Sequence, residues 1–311
     1  MDDLELVIIG AGAAGLTAGI YAVRSGLKTV VLEEKLAGGT IADAPVVENY
    51  SGFKSVSGTE LSQKMVTHAK AVGVKVNELE PVVNLDLNGE KKLVETQKAA
   101  YKARALIIAS GSHYRQLGIP GEKEFRGRGV SYCGICDGPF FRGKHVLVVG
   151  GGNSAAMTTL YLAGIAADTK IVHRRAAFRC EEALTQSLKN MKNVEILLNT
   201  EIKEIQGDRV VQKVILLDKK TAETRELPVN GVFVQVGEDP NSQIAKEVGV
   251  TLDADDYIIV DAMQRTNLSG IYAAGDVTNH PVKQVGTAVG QGIIAALEAY
   301  GFIRKPYYHE R

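Results

Sequence analysis

The chain has 311 residues, 45% hydrophobic and 23% charged, a balance that suits a folded protein of two domains and excludes a disordered one. Lys and Arg match Asp and Glu, 36 against 36, so no net field draws the chain to nucleic acid or to an anionic membrane, and any basic site has to be local. Three cysteines are too few for a secreted disulfide framework, and Met1-Asp2-Asp3 lacks the basic start of a secretory signal, so a cytoplasmic location is expected.

The apolar stretch 4–23 is long enough to suggest a membrane span, but Glu5 and its glycines break it into strand, turn and helix. Residues 4–9 predict a buried strand that runs into Gly10-Ala11-Gly12-Ala13-Ala14-Gly15, then a helix ending near Ser25-Gly26, then a strand over 29–33. In such a βαβ opening the glycines let the backbone approach a pyrophosphate, while the helix N-terminus supplies N–H donors and a positive dipole. The second strand ends in Glu33-Glu34, where a carboxylate accepts from ribose hydroxyls and repels a 2′-phosphate, as suits the adenosine of FAD or NAD. Alternating segments over 82–101 predict a small meander, closed by a buried strand into Ala109-Ser110-Gly111.

Cys133-Gly134-Ile135-Cys136 follows, with Asp137 directly after it. A four-cysteine zinc site is impossible with three cysteines, and no second CxxC or HxxxH accompanies this one, so redox chemistry is favoured and no metal is expected. A carboxylic acid beside a dithiol can carry the proton that each exchange step moves; Asp137 also reads as a turn residue before Gly138-Pro139. Cys180 has no partner motif and reads as a buried or incidental thiol.

The opening plan then repeats. A strand over 145–149 runs into Gly150-Gly151-Gly152-Asn153-Ser154-Ala155, a helix to about Gly164, and a strand over 170–173. This copy ends in His173-Arg174-Arg175 with Arg179 close by, four groups able to be cationic, which would attract a 2′-phosphate and so favour NADPH. A second meander over 202–227 and a closing strand over 232–237 complete the repeat. Beyond it come a strand near 257–260, Gly275-Asp276 at the end of an apolar strand, and a helix over 286–300. Asp276 suits a polyol hydroxyl such as that of a flavin's ribityl chain, or a helix N-cap. This tail is expected to complete the first domain. The expected fold class is α/β, with two Rossmann-like three-layer dinucleotide-binding domains, the second inserted in the first: 1–112 and 240–311 for FAD, 113–239 for NADPH and the CxxC. Since the dithiol precedes Gly150 in the inserted domain, disulfide and nicotinamide must alternate at the flavin, and a swivel at crossings near 111–115 and 237–241 is expected.

These stretches resemble the low-molecular-weight thioredoxin reductases along essentially the whole chain. The resemblance is carried by Gly10 to Gly15, Val47-Glu48-Asn49-Tyr50, the segment Gly129 to Gly138, Gly150 to Ala155, His173-Arg174-Arg175 with Arg179, Gly237 with Pro240-Asn241, and Ala274-Gly275-Asp276 with Gln284. It implies a homodimer that reduces a thioredoxin or a glutaredoxin-like protein. It also implies Cys136 as the flavin-facing thiol, Cys133 as the thiol that attacks the partner, and Asp137 as acid/base. For FAD it implies Gly10, Gly12, Ala13, Ala14, Gly15, Glu33, Glu34, Gly39, Thr40, Asn49, Ala109, Ser110, Gly111, Gly275, Asp276, Lys283, Gln284 and Val285. For NADPH it implies Gly150, Gly152, Asn153, Ser154, Ala155, His173, Arg174, Arg175 and Arg179. Two departures stand out: Thr40 where the family carries Gln, and Met157-Thr158 where it carries an acidic pair. Rival readings are a dithiol oxidase, a reductase with another electron donor, a ferredoxin–NADP reductase on this scaffold, and a dinucleotide-binding redox sensor. The CxxC-Asp segment weighs against the last two, and the His-Arg-Arg cluster against the first two.

Overall fold

The computed structural model describes residues 2–44 and 46–304; residues 305–311, the end of the last expected domain segment, lie outside the described residues. The chain divides into two compact units, one built from the chain up to His113 and from Asp239 on, the other from Tyr114–Glu238.

In the first unit β1 (Leu6–Ile9) leads into α1 (Ala13–Arg24) and returns as β2 (Thr29–Leu32). Helix α2 (Gly58–Ala71) and β3 (Lys75–Asn77) follow, then an antiparallel meander through Val82–Asp86, Lys92–Thr96 and Ala100–Ala103, then β4 (Ala105–Ile108). The second unit supplies β5 (Val130–Ser131), the one-turn α3 (Gly134–Asp137), β6 (His145–Val149), α4 (Asn153–Ala163), β7 (Asp168–His173) and β8 (Val194–Leu198). Its own meander, Thr200–Gly207, Val211–Asp218 and Thr224–Pro228, precedes β9 (Gly231–Val234). The chain then returns to the first unit for β10 (Ile271–Ala273) and α5 (Val285–Arg304).

Each unit holds a five-stranded parallel sheet, in the order β10-β4-β1-β2-β3 and β5-β9-β6-β7-β8. Parallel strands are covered on both faces, so they need unbroken apolar runs. Leu6-Val7-Ile8-Ile9 and Gly231-Val232-Phe233-Val234 provide them, and every residue of both is buried. In the first unit Leu6 and Ile8 pack under α1 and α5, while Val7 and Ile9 face Val94 and Tyr101 of the meander. The second unit repeats this: Val146 and Val148 lie under α4, and Leu147 and Val149 face Val214 and Leu216. Helices, sheet and meander are therefore three layers in both. Truncating fully buried Ile8 or Leu147 to Ala would leave a cavity costing about 2–5 kcal/mol.

The strand expected over 257–260 is absent; Ile258 makes only isolated bridges to Leu252 and Thr278. Side chains take the amides a ladder would use: Tyr257 N donates to Asp253 Oδ1 at 2.9 Å and Val260 N to Asn279 Oδ1 at 3.2 Å. The crossings Ser112–Tyr114 and Glu238–Pro240 lie side by side as a two-stranded ladder. Among the described residues no helix is long and apolar enough to cross a membrane.

Candidate active site

The helices after the two glycine turns begin differently from α2. Helix α2 has a side-chain cap, with Ser57 Oγ accepting from Glu60 N at 3.1 Å. Helices α1 and α4 start on Gly12 and Gly152, with no side-chain cap and no acid in the first turn. Their N–H groups are thereby left for an anion.

In the first unit the turn is tight: a Cβ on Gly15 would lie 1.8 Å from Gly10 O. Glu33 closes it from the next strand, its Oε2 accepting from Ala11 N at 2.7 Å and Oε1 from Lys35 N at 2.9 Å, while Glu34 stands exposed. Gly39 faces Gly12, and Thr40 opens a short 3-10 turn. Asn49 Nδ2 donates to Gln284 Oε1 at 3.2 Å, which brings two distant expected residues together. Ala109 lies beside Gly10, and Ser110 Oγ donates to Asn241 O at 2.7 Å. Gly275 N donates to buried Gln291 at 2.6 Å. Lys283 Nζ donates to Asp276 O at 3.1 Å and lies 4.1 Å from the centroid of the Tyr257 ring. Burial pushes the Asp276 carboxyl above the usual carboxylate range, with Lys283 opposing the shift. The N-cap alternative for Asp276 does not hold, because α5 begins only at Val285. A half-buried carboxylate beside an uncapped glycine turn fits a dinucleotide with a polyol chain.

In the second unit the closed disulfide Cys133–Cys136 sits at the start of α3, Cα–Cα 5.3 Å, both residues half-buried. Cys133 Sγ accepts from Cys136 N at 3.2 Å. Ser131 at the end of β5 holds this turn, its Oγ accepting from Cys133 N at 3.1 Å. Burial raises the Asp137 carboxyl above the usual range, opposed by a hydrogen bond from the Ser131 hydroxyl. A carboxyl with a raised pKa keeps its proton to higher pH than a free one, which suits it to proton delivery. Helix α3 rests on α4, with Gly134 against Thr158, so one of the two departing residues supports the dithiol turn, while Met157 is exposed.

Glycine turn and basic segment meet at the far end of α4's turn. Arg179 N donates to Gly151 O at 2.6 Å. Asn153 and Glu181 pair reciprocally, Nδ2 to Oε1 and N to Oδ1, both at 3.0 Å; Ser154 is exposed and Ala155 buried. Arg174, Arg175 and Arg179 are exposed, but His173 is not a fourth cation. Only 6% exposed, its ring lies under Gly151, where a Cβ would come within 2.3 Å of it. Burial, then the three arginines, push the imidazole below its usual range, so it is neutral near pH 7. The three arginines with an uncapped α4 fit a phosphorylated dinucleotide. Sequence reading missed Ser131, and also Glu122. The latter, 2% exposed, accepts from Leu117 N and Gly118 N at 2.8 Å and from the Tyr132 hydroxyl at 2.9 Å.

The pyridine nucleotide-disulphide oxidoreductase family matches residues 4–292. A thioredoxin reductase of Bacillus subtilis (strain 168) is 40% identical over 304 residues, 97% of this chain and 95% of that one. A 34.2 kDa protein of the rubredoxin operon of Clostridium pasteurianum is 40% identical over 301 residues, 97% of each. The crystal structure of thioredoxin reductase from Streptococcus pyogenes MGAS5005 superposes with a TM-score of 0.94 at 37% identity, covering 98% of this chain and 99% of that one. With two uncapped glycine turns, one disulfide and near-complete matches on both counts, the chain belongs to the pyridine nucleotide-disulphide oxidoreductase family, in its thioredoxin reductase group.

Proposed function

We propose that this chain is an NADPH-dependent thioredoxin reductase (EC 1.8.1.9), a cytoplasmic homodimer that holds FAD in the first unit and NADPH in the second and reduces thioredoxin or a glutaredoxin-like protein. The observation that carries the reading is the Cys133–Cys136 disulfide with Asp137 raised by burial behind it, in the unit whose glycine turn is bordered by three exposed arginines. Bound FAD would relay the electron pair of NADPH to that disulfide. In the reduced dithiol, the Cys133 thiolate attacks one sulfur of the partner disulfide and releases the other as a thiolate, which takes a proton from Asp137. Cys136 then passes its proton to the Asp137 carboxylate and attacks the Cys133 sulfur as a thiolate, closing the ring and releasing the second partner sulfur as a thiolate that takes that proton. Ser131 keeps Cys133 and Asp137 in register throughout. The 2′-phosphate falls to Arg174, Arg175 and Arg179, with His173 a neutral floor beneath Gly151.

Because dithiol and nucleotide turn belong to the second unit and the flavin set to the first, turnover requires the second unit to present nucleotide and disulfide in alternation. A crosslink that locks the units together should stop turnover, and full activity in the locked protein would refute the alternation. The donor assignment is tested by adding NADPH anaerobically to the purified yellow protein. Bleaching, then reoxidation by a thioredoxin, is expected. Bleaching by another donor alone would overturn it.

A further inference from the structure

Four strands of the second unit end in one row. Val149 is paired with both Val172 and Val234, and Ser131 with Phe233. Continuing that register, Cys133, Gln235, Gly150 and His173 stand side by side along the C-terminal edge of the sheet. Gln235 is at the centre. Its backbone N donates to Val149 O at 2.8 Å, and its carbonyl lies so near Gly150 that a Cβ there would come within 2.2 Å. Its side-chain Nε2 donates to Tyr132 O at 2.7 Å, the carbonyl directly before Cys133. A carbonyl only accepts, so the amide nitrogen must face Tyr132, and Oε1 turns the other way. Among the described residues Oε1 has no hydrogen-bond partner.

Ligands of open α/β sheets lie across the carboxyl ends of the strands, where the strand order reverses. Here that point lies between β6 and β9, since β7 and β8 flank one side of β6 while β9 and β5 flank the other. With a pyrophosphate at the Gly150 turn and the adenosine over β7 and its arginines, the other half of the dinucleotide passes over β9, where Gln235 stands. We propose that Gln235 is the residue that reads the nicotinamide half, Oε1 accepting from the N–H₂ of its carboxamide while Nε2 holds the Tyr132–Cys133 segment. One side chain then bears on both the nucleotide and the dithiol. The inference rests on the NADPH assignment above.

The test compares two ligands on the full FAD-loaded chain by calorimetry: NADP+, and 2′-phospho-ADP-ribose, which lacks only the nicotinamide. Q235M keeps length and removes both amide functions. It should weaken NADP+ by about fivefold, the effect of one neutral hydrogen bond, and leave 2′-phospho-ADP-ribose within about twofold. Q235E keeps the acceptor and should keep the ratio of the two affinities within about twofold of the unaltered protein, which also covers the case that Q235M fails to fold. Unchanged NADP+ binding in Q235M, an equal loss for both ligands, or a Q235E ratio as low as that of Q235M would overturn the inference while the NADPH assignment stands. Failure of the unaltered protein to bind either ligand would overturn both.

Discussion

Replacing Arg174 and Arg175 together with Ala should alter nucleotide preference and leave the chemistry intact. Both are exposed, and neither is paired with a carboxylate among the described residues, so removal orphans no buried group. Their segment is pinned at both ends: Asn199 N donates to Arg175 O at 3.1 Å, and Arg179 N to Gly151 O at 2.6 Å. The loop should therefore keep its course without the side chains. A hydrogen bond to a charged group contributes about 1.5–3 kcal/mol, and solvent screening takes an exposed guanidinium below that range, to about 1–1.5 kcal/mol. Two such losses weaken NADPH by about 30- to 150-fold. NADH has no 2′-phosphate and should be unaffected. Neutral His173 adds nothing to this sum, so His173→Gln should leave the NADPH/NADH ratio near its original value. The assay is anaerobic flavin bleaching with each nucleotide, at low and at high salt; the NADPH advantage should shrink with salt in the parent and be nearly flat in the double variant. Parallel losses for NADPH and NADH, or an unchanged ratio, would refute the reasoning.

Cys133→Ser should abolish reduction of a thioredoxin while NADPH still bleaches the flavin; thioredoxin reduction at the parent's rate would refute Cys133 as the attacking thiol. Asp137→Asn removes a carboxyl whose folded pKa burial raises, so the native state binds more protons there than the unfolded chain. In the parent that contribution is full below the ordinary carboxylate pKa of about 4 and is lost as pH rises through the raised value. The variant should therefore gain denaturant resistance over the parent at neutral pH, with the gap closing toward pH 4, and should turn over more slowly; a pH-independent gap would contradict this. Glu122→Gln keeps the shape but turns an amide N–H₂ toward a backbone donor, at a cost of about 2–4 kcal/mol. Amide exchange at Leu117 and Gly118 should quicken, and unchanged protection there would show that the carboxylate does not hold the segment.

Strands and phosphate turns were the legible part because their physics is local. Ile8 or Val148 lies in an unbroken apolar run that only a doubly covered strand uses, and Gly10 and Gly150 mark where backbone must meet backbone. The dithiol was legible because its chemistry is confined to neighbouring residues. What stayed hidden depends on long-range facing. His173-Arg174-Arg175 reads as one basic run, yet strand β7 turns the His173 ring inward before the arginines leave the sheet. Glu122 sits in an ordinary charged stretch with Lys123 and Glu124, and only the return of β5 brings Tyr132 onto it. Gln235 reaches a carbonyl 103 residues earlier in the chain, and no spacing rule announces such a contact. The strand expected near Ile258 failed for the opposite reason, since short polar side chains from Asp253 and Asn279 took its amides first.

Each unit ties its own ends together. Asn241 N donates to Gly111 O in the first, and Arg115 N to Gly237 O in the second, both at 2.9 Å. Strands β4 and β10 pair directly across the gap in the sequence, so the host sheet is complete whatever lies between them. An insertion with adjoining ends adds little closure entropy to its host, because the loop it lengthens already had to close. Two adjacent crossings therefore suffice, with no strand of the host sheet rewired. The same economy marks the place where the chain can be cut: a short peptide from Gly111 to Asn241 should restore the flavin-type unit alone, and residues 115–237 should fold as a nucleotide-type unit carrying its own disulfide.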